Sequence, residues 1–282
     1  MTKKPTPAAT TGKDIAVKSD TGTALATVGL MDDMEADAEQ YRQVFDRDML
    51  TIPRIKILQD LSPEVKDTKA EYIPGARPGM ICNEQNNKLD SEILFVPSTF
   101  EVRYIAWRPR KDGGGLVDAN LTLQEVEENF QPNGIGSWIG MMKPSANEDP
   151  VRVEVAQTPE YTGYAMGKGW GPMPVAISMP STKVKAAKKI NTTVELTRIL
   201  NKKTGNKIRP PMFYHQFKLS TGIESGNENE WHGFVIHHLG VAGDDSGIEN
   251  DPVYLEMIQL AKQLKVDVEA GRAKVDDSGL EK

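Results

Sequence analysis

One cysteine, Cys82, stands in 282 residues. That excludes a disulfide framework and leaves little from which to build a cysteine-based zinc site. Its expected place is that of a small buried hydrophobe. No apolar run approaches the roughly 18 residues of a membrane-spanning helix, and residues 5–14 offer no apolar stretch of a secretion signal. The expectation is a cytoplasmic protein with no membrane partner. Histidine is scarce as well: His215, His232, His237 and His238 are the whole set. In a strand, His232 and His237 fall on opposite faces and adjacent His237 and His238 diverge, so no metal site and no cofactor is expected. Gly113–Gly115 are not followed by the Gly-Lys-Ser/Thr of a phosphate loop. Gly167, Gly169 and Gly171 flank Trp170 without a strand–helix junction, which argues against a dinucleotide site. The acids of 112–160 show no spacing of a two-metal nuclease. A non-enzymatic protein is the expectation.

The texture along the chain is mostly that of short strands. Residues 1–30 carry no aromatic residue and read as a disordered tail. Residues 31–48 hold seven acids against Arg42 and Arg47, and Met34, Ala38, Tyr41 and Phe45 recur at helical spacing, which predicts a short acidic helix. From Ile52 onward, β-like runs appear at 52–58, 79–83, 92–110 (interrupted at Pro97), 151–157, 161–166 and 174–179. Two more, 213–221 and 231–240, are joined by the Gly- and Asn-rich 222–229 as a hairpin. Residues 112–160, with nine acids against Lys143 and Arg152, read as a loop-rich, partner-facing acidic excursion. A helix is predicted over 182–200. A second starts at Asp251-Pro252, where Asp suits the N-cap and Pro the first turn, with Tyr254, Met257, Ile258, Ala261 and Leu264 on one face. The fold class expected is β-rich (α+β): a small barrel of the oligonucleotide-binding type over 50–265, with an internal helix, a C-terminal helix and a mildly acidic flexible tail over 266–282.

Charge is the strongest signal. Between 181 and 210 stand nine basic residues, Lys183, Lys185, Lys188, Lys189, Arg198, Lys202, Lys203, Lys207 and Arg209, against the single acid Glu195. The segment is net +8 in a chain of net −6, which leaves −14 for the rest. Like charge so concentrated costs folding free energy unless a polyanion offsets it, so a polyanion is the expected ligand. Phe213, Tyr214 and Phe217 come directly after, and bases of a single strand stack on aromatic rings while Lys and Arg track the phosphates. Tyr214 and Trp107 are the candidate platforms. Arg103 shares a strand face with Trp107, and Arg108 lies on the other. Arg54 and Lys56 fall on one face of the first strand, where they either extend the groove or form its solvent side.

The runs 50–66 (LTIPRIKILQDLSPEVK), 76–81 (ARPGMI), 93–110 (ILFVPSTFEVRYIAWRPR), 181–221 and 231–240 (WHGFVIHHLG) together resemble the single-stranded DNA-binding proteins of tailed bacteriophages. The resemblance spans roughly 50–265. It implies an oligonucleotide-binding fold, a role in DNA replication and recombination in the bacterial host cytoplasm, and coating of single strands without sequence preference. The basic run and Tyr214 would face the DNA. Such proteins often end in a strongly acidic tail that contacts replication proteins such as polymerase or helicase. Here 241–282 holds ten acids and five basic residues and ends on Lys282, so the acidic stretch 112–160 is the alternative contact. Two other readings stand beside this one: a virion structural or assembly protein, and a single-strand annealing recombinase.

Overall fold

The computed structural model describes residues 51–145, 147–180, 183–226, 229–244 and 246–277. The tail expected over 1–30, the helix expected over 31–48 and the last five residues of the C-terminal tail lie outside the described residues.

The chain is β-rich. Its strands are β1 (Thr51–Ile52), β2 (Arg54–Ile57), β3 (Ile81–Asn83), β4 (Leu89–Asp90), β5 (Glu92–Trp107), β6 (Leu116–Leu121), β7 (Gln131–Pro132), β8 (Ser137–Met142), β9 (Val151–Gly167), β10 (Trp170–Ser178), β11 (Ile199–Leu200), β12 (Lys207–Ile208), β13 (His215–Gly226), β14 (Asn229–Val241) and β15 (Lys274–Val275). The α-helices are α1 (Leu123–Asn129), α2 (Val184–Leu196) and α3 (Pro252–Glu269), with short 3-10 turns at Pro63–Val65, Arg110–Asp112, Met212–Tyr214 and Ile248–Asn250. Eleven strands form one sheet along the path β14-β13-β5-β9-β10-β2-β3-β4, with β6 added to β5 and β7-β8 to β9, and the sheet curls into a half-barrel. Every pairing in it is antiparallel except β10 with β2.

Two runs expected as separate strands are continuous. Proline cannot donate to a ladder, so a proline in a central strand needs an irregularity. Strand β5 accommodates Pro97 with a register shift between Pro97 and Thr99. The bulge turns Ser98 inward, where its hydroxyl donates to the Ala261 carbonyl of α3 at 2.6 Å. Opposite Pro97 stands Gly163, where a Cβ would meet the Val96 carbonyl oxygen at 2.4 Å, so only glycine fits. Strand β9 likewise runs unbroken over both of its expected segments.

Alternation along β5 sorts the core into two faces. Phe95 faces the main cluster, with Ile55, Ile57, Tyr161, Ile177, Phe217, Leu219, and Ala186, Ala187 and Ile190 of α2. Val96, its neighbour, faces Tyr254, Met257, Ile258 and Ala261 of α3. Asp251 caps α3 as expected, its carboxylate accepting from the Val253 N–H at 2.9 Å. The acidic stretch is not loop-rich. It folds as β6, α1, β7, β8 and the first half of β9 over a core of Tyr104, Ala106, Val126, Phe130, Val153 and Val155. Helix α1 starts with a capping box: Thr122 Oγ1 accepts from the Glu125 N–H at 3.2 Å, and Glu125 Oε2 accepts from the Thr122 N–H at 2.8 Å.

Strand β14 ends the sheet path, so half of its backbone groups have no strand partner. Side chains cover some of them. The Gln59 amide Nε2 donates to the His232 carbonyl at 2.9 Å while its Oε1 accepts from the His232 N–H at 2.9 Å, so one side chain acts as a strand residue and closes the curl. Truncation, Gln59→Ala, strands both backbone groups and is expected to cost about 1–3 kcal/mol in urea unfolding. An unchanged midpoint would show that this closure contributes nothing.

Candidate nucleic-acid interface

The basic segment folds as a helix and then a hairpin. Ala186, Ala187 and Ile190 give α2 a small apolar face that lies close on the sheet. Tyr161 pins it, its hydroxyl donating to Asn191 Oδ1 at 2.7 Å and to the Ala187 carbonyl at 2.9 Å. Two lysines are spent on anchoring. Lys183 holds its ammonium 5.9 Å from the Phe234 ring centre, where burial lowers its pKa and the Glu224 carboxylate partly opposes that. Lys189 donates to the Ile236 carbonyl of β14 at 2.6 Å. Lys185 and Lys188 are left on the exposed face.

The expected helix over 182–200 stops at Leu196, because Thr197 adopts an extended conformation. Beyond Thr197 the chain enters the β11–β12 hairpin. Asn201 organises its turn: Oδ1 accepts from the Lys203 N–H at 2.9 Å and the Thr204 N–H at 3.3 Å. Gly205 supplies the positive φ of +73° that closes it. Arg198, Lys202, Lys203, Lys207 and Arg209 all belong to this hairpin and its base, and all five are exposed. The single acid of the segment organises the base. Glu195 accepts from Arg209 Nη1 at 2.6 Å on both oxygens, and its carbonyl accepts from Arg198. Among the described residues, Lys185, Lys188, Lys203 and Lys207 enter no ion pair. The segment also carries exposed apolar side chains that charge counting passed over, Leu200 at 54% and Ile208 at 42% exposure.

The remaining candidates sit elsewhere. Arg54 is buried and each of its nitrogens is engaged: Nη1 with Glu160 at 2.6 Å, Nη2 with Asp277 at 2.5 Å, and Nε with the Asp276 carbonyl at 2.8 Å. Arg103 joins the same network. It grips Asp277 through Nη1 at 2.9 Å and Nη2 at 2.8 Å and reaches Glu160 at 3.3 Å, and the Asp277 contacts hold its pKa above the ordinary value. Of the expected DNA-facing residues, these two arginines have their donors committed to partners within the protein. Lys56 pairs with Glu64 at 2.7 Å and Glu84 at 2.8 Å; burial disfavours its charge, yet the two carboxylates outweigh that and raise its pKa. Trp107 and Arg108 are half-buried at the end of β5. Tyr214 packs its ring 4.9 Å from Phe213, over the α3 side of the core, and is only partly open to a stacking base.

Pairwise histidine spacing in the sequence missed one contact. His215 begins β13 and His238 lies in the neighbouring strand β14, in register with Phe217, so that His215 Nδ1 is 3.2 Å from His238 Nε2. Burial first, and the neighbouring His238 second, lower the His215 pKa to about 4. No signal short of strand register brings those two rings together. Among the described residues no group of three or more His, Cys, Asp or Glu side chains is placed to hold a metal ion, and no helix is long and apolar enough to cross a membrane.

A family model, that of the Pam3 phage gp34-like protein, matches residues 20–274. No curated protein and no solved structure matches the chain.

Proposed function

Because the chain belongs to the Pam3 phage gp34-like protein family, and is thus a phage protein, we propose that it binds single-stranded DNA without sequence preference and without catalysis, in phage replication and recombination. One observation carries the reading: a helix face and a projecting hairpin, continuous in sequence, present lysines with no counter-ion among the described residues, in a chain that is otherwise strongly acidic. A flexible single strand can run along both elements, with its phosphates on Lys185, Lys188, Lys203 and Lys207 and its bases against Leu200, Ile208 and the half-open Tyr214. In this reading the curled sheet is an elaborated barrel of the oligonucleotide-binding type. Its curl and its closure through Gln59 support that assignment, and the strands beyond five are additions to a five-stranded plan.

Each single-strand phosphate neutralised contributes roughly −0.7 to the slope of log affinity against log salt, so four lysines give a slope of about −3. Oligo(dT) affinity, measured by fluorescence anisotropy, is then expected to fall about 50-fold between roughly 50 and 200 mM salt. Reversing all four lysines to glutamate removes that dependence together with most of the binding. Salt-independent affinity, or duplex bound as tightly as single strand, overturns the reading. The exposed Leu196, Leu200 and Ile208 on the same segment favour one competitor, a virion assembly role. It predicts large oligomers without DNA and no preference for single strands.

A further inference from the structure

Away from the basic segment, the turn that joins β5 to β6 gathers three cations, Arg108, Arg110 and Lys111, against the one acid Asp112. Among the described residues none of the three enters an ion pair or donates a side-chain hydrogen bond, although the stretch 112–160 beside them holds nine acids. Arg110 and Lys111 are exposed. Arg108 differs: it is half-buried, its Nε is shut off from solvent without a partner, and its two terminal nitrogens reach the surface. A guanidinium with one edge desolvated and no acceptor is costly. Because its charge is delocalised, an anion on the outer nitrogens offsets that cost. The backbone beside it leaves room. Gly113, Gly114 and Gly115 follow with φ of +106°, +68° and +105°, a run that only glycine makes without strain. A Cβ added at Gly115 would meet nothing within 4 Å, and at Gly113 only Arg108 Cδ at 3.9 Å, so no packed neighbour demands these glycines. The Arg108 N–H donates to the Gly115 carbonyl at 2.9 Å, which fixes the arginine's backbone against the far arm of the turn.

We propose that this turn binds a phosphomonoester, with Arg108 donating from Nη1 and Nη2 to two of its oxygens while Arg110 and Lys111 supply further charge. The planar fork of an arginine matches a pair of phosphate oxygens, and the open glycine backbone lets the group approach closely. Asp112 reduces the turn from three positive charges to a net two. A doubly charged terminal phosphate matches that sum, and a singly charged internal phosphodiester matches it less well. A free nucleotide and the 5′ end of a strand carry the same group. The site does not rest on the DNA reading, since none of its residues belongs to 183–209.

Thymidine 5′-monophosphate and thymidine share base and sugar and differ in the phosphate, so together they isolate the claim. In titration calorimetry of the full chain at constant ionic strength, the monophosphate is expected to bind saturably and thymidine not at all. Arg108→Gln removes the charge and the fork, and should weaken monophosphate binding about tenfold or more. Arg110→Gln combined with Lys111→Gln, both on the surface, should weaken it several-fold, and this pair carries the test if the Arg108 variant fails to fold. Reversal of Lys185, Lys188, Lys203 and Lys207 to glutamate should leave monophosphate binding in place, so a failed DNA reading and a failed turn site are told apart. In that reversed variant, tighter binding of 5′-phosphorylated than of 5′-hydroxyl oligo(dT) assigns the group to a strand end, and equal affinities assign it to a free nucleotide. The proposal is overturned if the monophosphate gives no saturable heat, if thymidine binds equally, if folded Arg108→Gln or the double variant binds like the parent, or if reversing the four lysines abolishes monophosphate binding.

Discussion

Replacing Glu160 by alanine is expected to destabilise the protein by about 3–5 kcal/mol, the largest effect of any single polar substitution here. Glu160 is fully buried in β9 and receives three contacts: Arg54 at 2.6 Å, Ser178 at 2.6 Å and Arg103 at 3.3 Å. Two arginines and two carboxylates balance inside this network, with Asp277 as the second acid. Removing one carboxylate leaves two largely buried guanidiniums, Arg54 at 6% and Arg103 at 11% side-chain exposure, with half their counter-charge. Glu160→Gln preserves volume and one acceptor, so it should recover only a minor part of the loss and so separate charge from packing. Glu154, exposed on the same strand, is the control: its glutamine variant should shift stability by no more than about 0.5 kcal/mol. Urea midpoints measured at neutral pH decide the matter. A Glu160→Ala loss below about 1 kcal/mol would mean that Asp277 alone neutralises both arginines, contrary to the low-dielectric argument.

Mild acid should act through His215. Its ring is fully buried, stacks on Phe217 with centroids 6.1 Å apart, and sits 3.2 Å from His238. Desolvation and His238 lower its pKa to about 4 from an ordinary 6.5, so the folded protein keeps it neutral where the unfolded chain takes up a proton. Stability from this source is therefore complete above pH 6.5. It declines as pH falls toward 4, by up to roughly 3 kcal/mol at about 1.4 kcal/mol per unit. His238, its pKa also lowered by burial, pulls the same way. The substitution that removes the effect is His215→Leu, which should flatten the unfolding free energy between pH 6.5 and 4 relative to the parent. If the parent itself showed no slope in that window, the buried neutral pair would be refuted.

Local chemistry, where it was strong, could be read without the fold. The α3 face of Tyr254, Met257, Ile258, Ala261 and Leu264 repeats at 3.6 residues and is buried as a set. Its Asp-Pro start carries a cap that needs nothing from the rest of the chain. The capping box Thr122–Glu125 was equally local, but the acids around it drew the reading toward a loop. Pro97 gave a genuine local reason to end a strand. The bulge that saves the strand depends on Gly163 and Ala261, which are distant in sequence.

The charge reversal in 181–210 was determined by the sequence itself, because net charge is a sum over residues and does not depend on their arrangement. Which cations remain free was decided only by the tertiary structure. Lys183 and Lys189 are held by Phe234 and Ile236 of another strand, and Arg209 by Glu195, while Lys185, Lys188, Lys203 and Lys207 have no partner acid among the described residues. Arg54 shows the same division more sharply. Its alternation with Ile55 and Ile57 fixes the face it occupies, but its partner Asp277 lies 223 residues away. Side-chain periodicity is a property of neighbours along the chain. Ion pairing in a buried site is a property of whichever strands the sheet brings together, and no local pattern encodes that.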